Sequence, residues 1–222
     1  LYPDGSVISY EYDELNRRTA VTDPNGNTTR TFYDSVGNIN RIVDGSGKET
    51  VFVYDRNGNK IKQTDATGAV TCYTYTVLGK PETITDPVGK VTRYHYGQGG
   101  RLIRLENGDG TWEAYEYDGA GNITSRSYQD GCKLSYRYDS LNHVTEIYRG
   151  KIREKVYEYD AMGRVISATD ALGNRTSYQY SPEGKLLRVT DPEGSQVRYT
   201  YNGRDELTGL IGAAARMRPS KS

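Results

Sequence analysis

A tyrosine returns every 21 residues along almost the whole chain, and this interval restricts the fold more than any other feature. The series has ten members: Tyr12, Tyr33, Tyr54, Tyr75, Tyr96, Tyr117, Tyr138, Tyr159, Tyr180 and Tyr201. Two residues before each member the side chain is again aromatic, with Thr31 as the exception. Self-similarity at a fixed period of this size is the signature of a repeat array, in which each unit contacts its neighbours.

The position four residues after the series tyrosine favours a left-handed backbone. Glycine occupies it in seven copies: Gly37, Gly58, Gly79, Gly100, Gly121, Gly163 and Gly184. The other copies carry Asn16, Asn142 and Asp205, and Gly, Asn and Asp are the residues that best tolerate a positive φ. Aspartate often stands three residues earlier, so the segment predicts a type I turn followed by a left-handed residue. Such turns are predicted at 34–37, 55–58, 118–121 and 160–163.

A second turn lies half a repeat away from the first. Residues 23–26, 86–89 and 191–194 each read Asp-Pro-x-Gly, which is the composition expected of a type I turn with proline at its second position. Two turns in each repeat leave two short strands, so each repeat is predicted to be a β-hairpin. The second strand of the hairpin has a less regular apolar pattern, and the sequence does not assign its inner face.

These elements predict an all-β chain of about ten tandem 21-residue β-hairpins, forming one continuous, curved and spiralling antiparallel sheet over residues 1–211. Curvature is expected because open twisted sheets seldom exceed ~10 strands without curling. The 21 tyrosines suit a single-layer sheet, since tyrosine buries a ring face while its hydroxyl stays bonded or wet. Residues 212–222 are expected to be an aperiodic tail. Because the chain opens inside a repeat, we expect a longer array in the parent protein.

The reactive residues predict no catalytic, cofactor-binding or metal site. His95 and His143 lack a carboxylate or cysteine neighbour in the repeat pattern, and solvated positions are expected for both. Cys72 and Cys132 occupy non-equivalent repeat positions, which favours buried or half-buried thiols over a zinc site or a disulfide. The Asp-Gly turns, including 107–110, lack the alternating ligand series of a calcium loop. We therefore expect neither enzymatic activity nor a cofactor.

The charge balance and hydropathy argue against two classes of partner. The chain has 29 basic and 29 acidic residues and a formal net charge of zero. This balance disfavours nucleic acid and anionic membrane surfaces, which select basic patches. The sequence contains no apolar run near ~18 residues, so no membrane span is expected.

The motif Tyr-Asp-x-x-Gly-Asn/Arg-Ile/Leu, seen at 117–123, followed by Asp-Pro-x-Gly half a period later, resembles the YD repeat of the Rhs family. That family includes bacterial polymorphic toxins, the cocoon-forming subunits of insecticidal Tc toxins and the shells of teneurins. The resemblance covers residues 1 to about 211 and implies a sheet of hairpins that spirals into a hollow shell. In the toxins, that shell encloses a C-terminal effector. The resemblance also implies an exported or secreted bacterial protein.

Two functions follow as expectations. The first is a structural scaffold, a piece of a shell whose partners are the enclosed effector and further shell repeats. The alternative is an extracellular binding or adhesion module that uses repeated exposed tyrosines to contact carbohydrate or protein. The two differ in where the tyrosine rings point: rings packed between neighbouring strands indicate a scaffold, and separated exposed rings indicate binding. The open sheet edges at the two ends further predict edge-to-edge self-association.

Overall fold

The computed structural model describes residues 7–212, which contain twenty β-strands, one short 3-10 helix and no α-helix. The chain forms two compact units, Leu1–Trp112 and Glu113–Ser222. The strands of the first unit are β1 Ser9–Tyr12, β2 Arg18–Thr22, β3 Thr28–Tyr33, β4 Ile39–Val43, β5 Glu49–Tyr54, β6 Lys60–Thr64, β7 Val70–Tyr75, β8 Pro81–Thr85, β9 Val91–Tyr96 and β10 Leu102–Glu106. The 3-10 helix, Gln98–Gly100, joins β9 to β10.

The second unit contains the other ten strands, the first of which begins at Trp112. They are β11 Trp112–Tyr117, β12 Ile123–Tyr128, β13 Lys133–Tyr138, β14 Val144–Arg149, β15 Ile152–Tyr159, β16 Val165–Asp170, β17 Arg175–Tyr180, β18 Leu186–Thr190, β19 Gln196–Tyr201 and β20 Leu207–Gly212. Gly212, the first residue of the predicted 212–222 tail, is the last residue of β20, and the division into an array of 1–211 and a tail stays a prediction. Residues 213–222 lie outside the described part of the chain.

Within each unit every strand pairs antiparallel with the next strand in sequence, and the order is a simple meander. Each repeat supplies one hairpin, made of the strand that ends at the series tyrosine and the strand that follows the turn. The predicted fold class, an all-β array of tandem antiparallel hairpins, is confirmed.

The first turn of the repeat is closed by the same two backbone hydrogen bonds in all ten copies, and the copy at 97–100 differs in that Gly99 also has a positive φ, of 71°. In the copy at 34–37, Gly37 N–H donates to the Asp34 carbonyl at 3.2 Å, and Asp34 N–H donates to the Asn38 carbonyl at 2.8 Å. The fourth turn residue has a positive φ in every copy, from 60° at Asn16 to 99° at Gly37 and Gly121. The turn positions predicted from the sequence are confirmed, including the left-handed conformation of Asn142.

The second turn repeats this geometry in eight copies and departs from it in one. The eight glycines with positive φ are Gly26, Gly47, Gly68, Gly89, Gly110, Gly131, Gly173 and Gly194. In the remaining copy Arg149 pairs directly with Ile152, so only Gly150 and Lys151 form the loop. Gly150 has φ 58°, which suits the first central position of a two-residue type II′ turn. The shorter loop lengthens β15 to eight residues.

A register shift accompanies the series tyrosine in every hairpin. Between β3 and β4, Phe32 faces Arg41 while Tyr33 faces Ile39, so the second strand carries one extra residue. Equivalent shifts occur in the other nine hairpins. A bulge increases local twist and re-aims side chains. It therefore recurs at the same 21-residue interval as the series tyrosines.

The sheet encloses almost no core. Among the described residues the buried side chains are Ala20, Ser125, Ser167 and Ser181, at 2%, 3%, 1% and 8% exposure. All four are small, so no large apolar group is removed completely from water. The stabilising contacts must therefore come from half-buried side chains on the sheet surface, as expected for a single layer rich in tyrosine.

Candidate functional site

In seven of the ten hairpins an aromatic side chain pairs with an aliphatic one on the same surface of its unit, which we call the tyrosine face. It carries the series tyrosine and the residue two positions earlier, because alternate residues of a strand share a face. The earlier residue lies directly opposite the residue nine positions after the series tyrosine, as in Tyr73 opposite Ile84 and Tyr136 opposite Ile147. Such cross-strand pairs contribute roughly 0.2–1 kcal/mol each.

The opposing residue is aliphatic in eight of the ten repeats: Val21, Ile42, Ile84, Leu105, Ile147, Ala168, Val189 and Leu210. This set is the part of the second strand that shares the tyrosine face. The signal was present, because these positions recur at the same 21-residue interval as the tyrosines. This pattern is difficult to recognise in the sequence because the residues around these positions vary from one repeat to the next. Gln63 and Arg126 are the two exceptions.

Most series tyrosines tie one repeat to the repeat before it. Each of eight hydroxyls donates to the backbone carbonyl 15 residues earlier, at 2.7–3.0 Å. The donors are Tyr33, Tyr54, Tyr75, Tyr96, Tyr138, Tyr159, Tyr180 and Tyr201. The acceptor begins the second strand of the preceding hairpin, as Ile123 does for Tyr138. We call this bond the tyrosine latch.

In five repeats the residue after the left-handed turn position covers the latch tyrosine of the next repeat. The Arg17 guanidinium lies 4.5 Å from the Tyr33 ring centroid, and the His143 ring stacks on Tyr159 at 4.8 Å. The same contact is made over Tyr96 by Lys80, over Tyr180 by Arg164 and over Tyr201 by Lys185. A cation over an aromatic ring contributes ~0.5–1 kcal/mol at an exposed site. One face of each of these five rings is therefore covered by a side chain of the same chain.

Aspartate carboxylates that open the turns are bonded within those turns. Asp34 Oδ1 accepts the N–H groups of Val36 at 3.0 Å and Asn38 at 2.8 Å, and Oδ2 accepts Asn38 Nδ2 at 3.0 Å. The Asn38 side-chain bond, together with the backbone bonds, lowers the pKa of Asp34 below its usual value. Turn closure accounts for these residues, as predicted. In residues 7–212, no group of three or more His, Cys, Asp or Glu residues is placed to hold a metal ion.

One repeat replaces the aliphatic position of the tyrosine face with a charged cluster. Arg126 donates to Glu113 Oε2 from Nε at 2.9 Å and from Nη2 at 2.5 Å, and the Tyr115 hydroxyl donates to the same oxygen at 2.6 Å. Burial of the ring, followed by the bond to Glu113, raises the pKa of Tyr115 to about 12. The tyrosine bond is also the main cause that lowers the pKa of Glu113. The positive charge of Arg126 is thus paired with the Glu113 carboxylate, at a position that is aliphatic in most other repeats.

The histidines and cysteines differ in part from expectation. Both histidines lie beside a carboxylate: His143 Nδ1 is 3.0 Å from Asp139 Oδ2, and His95 Nε2 is 3.6 Å from Glu106. The Asp139 partner was missed because it belongs to the turn motif itself. Both cysteines are free, as predicted. Cys72, however, is exposed, because it lies on the face opposite the tyrosines, so the expectation of a buried or half-buried thiol is wrong there.

The repeat hallmark residues thus lie together along the tyrosine face and the first-turn edge. Nine of the ten series tyrosines are half-buried, and Tyr12 is exposed. None of the helices in the described residues has the length and apolar character needed to cross a membrane.

A meander of similar hairpins, in which the same side-chain bond links successive repeats, defines a tandem β-hairpin repeat protein. The family model described as RHS Repeat matches residues 1–29, 33–70, 54–89, 159–195 and 180–216. These segments cover more than half of the chain, which therefore belongs to the RHS repeat family. A comparison with curated proteins gives no match.

Solved structures with a similar fold include several Tc toxin proteins. The crystal structure of TcdB2-TccC3 is 15% identical, with a TM-score of 0.63, and the match covers 94% of this chain and 14% of that one. TcdB2-TccC3 without its hypervariable C-terminal region gives the same values. The Photorhabdus luminescens Tc holotoxin pore is 15% identical with a TM-score of 0.68, covering 97% and 15%. This chain thus spans about one seventh of the length of those chains, and the likeness is one of fold.

Proposed function

We propose that this array is a structural scaffold: a section of a shell wall that encloses a C-terminal effector of a longer parent protein. Membership of the RHS repeat family and the fold shared with TcdB2-TccC3 support this proposal. The series tyrosines and the left-handed glycines then serve to build the wall, and the chain itself performs no catalysis. The same likeness supports the proposal that the parent is an exported or secreted bacterial protein.

The observation that carries the proposal is the tyrosine latch. Eight series hydroxyls are used in bonds between successive repeats, and five of the eight rings are covered by a cationic or imidazole side chain of the preceding repeat. A wall needs such continuity, because each hairpin has no core of its own and gains stability only from its neighbours. A binding module would instead present separated exposed rings. Among the described tyrosines only Tyr10 and Tyr12 are exposed, so the binding alternative is less well supported.

Protease protection of the parent protein tests the enclosure. We expect the segment that follows the array to resist proteinase K in the intact parent and to be digested at once when expressed alone. A parent carrying Gly121→Val, which opens one turn of the wall, should lose part of this protection. Digestion of the segment at equal rates in both settings would refute the enclosure.

A carbohydrate-binding panel tests the alternative on the chain itself. The scaffold proposal predicts no binding that depends on the tyrosines. Saturable binding that disappears in a Tyr10→Ala, Tyr12→Ala variant, with the melting temperature unchanged, would favour the binding module instead.

A further inference from the structure

The surface of each unit opposite the tyrosine face carries a series of ion pairs, and we call it the charged face. It includes the residue before each series tyrosine and the residue directly opposite on the next strand, such as Arg137 and Glu146. Arg137 Nη1 lies 2.9 Å from the Glu146 carboxylate, and Arg175 Nη2 lies 2.6 Å from that of Glu158. Similar pairs on this face join Arg30 to Glu11, Arg41 to Glu49, Arg104 to Glu106 and Lys133 to Glu116. Each of these basic residues is thus balanced by a glutamate of the same face.

Two arginines of the charged face depart from this pattern. Arg188 lies opposite Gln179, the residue before the series Tyr180, and Arg198 lies opposite Arg188 on the following strand. Neither arginine forms an ion pair or a side-chain hydrogen bond with any other residue in 7–212. Arg188 Nε is shielded from water and has no acceptor in that part of the chain. Like charges directly opposite each other destabilise a sheet, so the bare arginine pair costs stability.

The pairing of β18 with β19 places the two arginines close together. Asp191 N–H donates to the Ser195 carbonyl at 2.9 Å and closes the turn between the strands. By alternation from this bonded pair, Arg188 and Arg198 form a non-hydrogen-bonded pair, in which the side chains are closer than in a hydrogen-bonded one. Arg188 is half-buried and Arg198 is exposed. The two guanidinium charges are therefore carried side by side at the protein surface.

The surroundings of the arginine pair supply no countercharge. The residues of the charged face directly beside the pair are all uncharged: Gln179, Thr190, Gln196, Thr200, Gly209 and Ile211. Glu158, two hairpin strands away on the same face, is bonded to Arg175. Because an arginine is always protonated in a protein, the pair is a fixed patch of positive charge inside a neutral frame.

We propose that Arg188 and Arg198 form a binding site for a phosphate group, either free or carried as a monoester. A phosphate monoester carries a charge of about −1.5 to −2 near neutral pH, which matches two guanidinium groups, whereas one carboxylate leaves a positive charge unbalanced. Guanidinium groups bond phosphate oxygens through two parallel N–H groups. An anion that engages both arginines also offsets their repulsion. This inference goes beyond the scaffold role and does not depend on it.

Titration with inorganic phosphate, followed through the side-chain Nε–H signals of the arginines by NMR, tests the site at constant ionic strength. We expect saturable shifts of the Arg188 and Arg198 signals. Arg188→Gln and Arg198→Gln should each weaken phosphate binding about tenfold or more, since each removes a charge-assisted bond. Arg175→Gln removes the same charge from an arginine that already has a glutamate partner. It is the matched control and should bind phosphate like the unaltered chain.

Thermal unfolding gives a second readout, because a ligand that binds the folded state raises the melting temperature. Exchange of chloride for phosphate at equal ionic strength should raise the melting temperature of the unaltered chain and of Arg175→Gln more than that of Arg188→Gln. In chloride alone, Arg188→Gln should be at least as stable as the unaltered chain, because the repulsion is removed. If Arg188→Gln does not fold, Arg198→Gln carries the same test at an exposed position.

N-acetyl-O-phosphoserine amide, titrated in the same way, distinguishes the two sources of phosphate. Tighter binding than that of inorganic phosphate indicates a phosphorylated side chain of a partner, and equal or weaker binding indicates the free ion. Acetate at the same ionic strength should shift neither signal to a comparable extent. The proposal is overturned if both phosphate compounds leave the two signals unmoved or if acetate binds equally well. It is also overturned if Arg175→Gln weakens phosphate binding as much as Arg188→Gln does.

Discussion

The left-handed residue of each first turn decides which side chains that turn accepts. Ten positions share this conformation, and they carry only Gly, Asn and Asp. A β-branched side chain there clashes with its own backbone. We expect Gly121→Val to lower the free energy of unfolding by more than ~1 kcal/mol.

Gly119 supplies the matched control for that substitution. It lies in the same turn, its φ is not positive, and a side chain added there meets nothing within 4 Å. Gly119→Val should therefore change stability much less than Gly121→Val, as measured by urea unfolding of both variants. If the two variants unfold alike, the left-handed assignment at Gly121 is incorrect.

The tyrosine latch makes a second prediction for single residues. Tyr159→Phe removes the hydroxyl that donates to the Val144 carbonyl at 2.7 Å and keeps the ring that His143 covers. We expect a loss of about 1 kcal/mol in the free energy of unfolding. Tyr157→Phe, two residues earlier on the same face, is the control and should cost less. Equal losses would show that the hydroxyl bond adds nothing to the ring contact.

The sequence predicted which residues matter at this scale but not all of their contacts. The positive φ at Gly121 and Asn142 followed from composition, since few residue types tolerate it. The bond from Tyr138 to the Ile123 carbonyl did not, because it depends on the bulge that sets how the two hairpins face each other. The Glu113–Arg126 pair was also missed, since the sequence left the inner face of the second strand unassigned.

The turns, as elements, are stabilised by ionised aspartates. Hydrogen bonds within the turns lower the aspartate pKa below its usual 3.8 in eleven turns: Asp13, Asp23, Asp34, Asp44, Asp55, Asp65, Asp109, Asp118, Asp139, Asp160 and Asp170. A group whose pKa is lower in the folded state contributes stability above its unfolded pKa, and this is lost as pH falls through the folded pKa. The chain should therefore lose stability below about pH 4.

Urea midpoints measured from about pH 7 down to about pH 2 check this dependence. A variant with Asp34→Asn, Asp55→Asn and Asp118→Asn keeps side-chain acceptors for the turn N–H groups but removes three titrating carboxylates. We expect its midpoint to fall less steeply below about pH 4 than that of the unaltered chain. A parallel decline in both proteins would place the acid sensitivity outside these turns.

The loop at Gly150 is a place where the strand boundaries could not be predicted from the sequence. At 149–152 the sequence reads Arg-Gly-Lys-Ile, with the glycine displaced from its position in the other second turns, and the constant tyrosine interval by itself does not reveal a change of strand length. The 21-residue interval between tyrosines is kept because the loop is shorter, with two residues, and the strand β15 is longer, with eight. The turns at 107–110 and 128–131, which depart from the Asp-Pro-x-Gly pattern, keep the common backbone because their fourth residue is still glycine.

At the scale of the whole molecule, contacts between neighbouring strands replace a buried core. Stability in such an array is approximately a sum over repeats and the contacts between adjacent repeats. Deleting residues 139–159 removes one whole repeat and joins Tyr138 to Asp160. Every remaining side chain then stays on the same face of the sheet. We expect this variant to keep its β-sheet circular dichroism and a cooperative thermal transition.

Deleting residues 139–158 instead removes one residue fewer and is the control. It joins Tyr138 to Tyr159, so the following strand is out of step with the pleat and its apolar side chains point to the wrong face. We expect this variant to lose its cooperative transition or to aggregate. Equally cooperative melting of both deletions would show that the interval is not a structural requirement.

Much of the architecture was predictable because a strict period leaves few alternatives. Ten repeats in phase indicated hairpins, turn positions and a single-layer sheet. The near absence of large buried side chains agrees with the composition, since tyrosine supplies ring area without needing enclosure. Which residue opposes which was not predictable, because one bulge in each hairpin changes the pairing by a residue.

The fixed span of the tyrosine latch has a consequence for how genes of this kind change. Each hydroxyl reaches a carbonyl 15 residues earlier, within a distance set wholly by one unit and its predecessor. Unequal recombination that duplicates or drops a complete unit therefore leaves every remaining bond intact, whereas a small in-frame indel breaks one. Related arrays should consequently differ in length by whole 21-residue units, and the number of units should be the main difference between them.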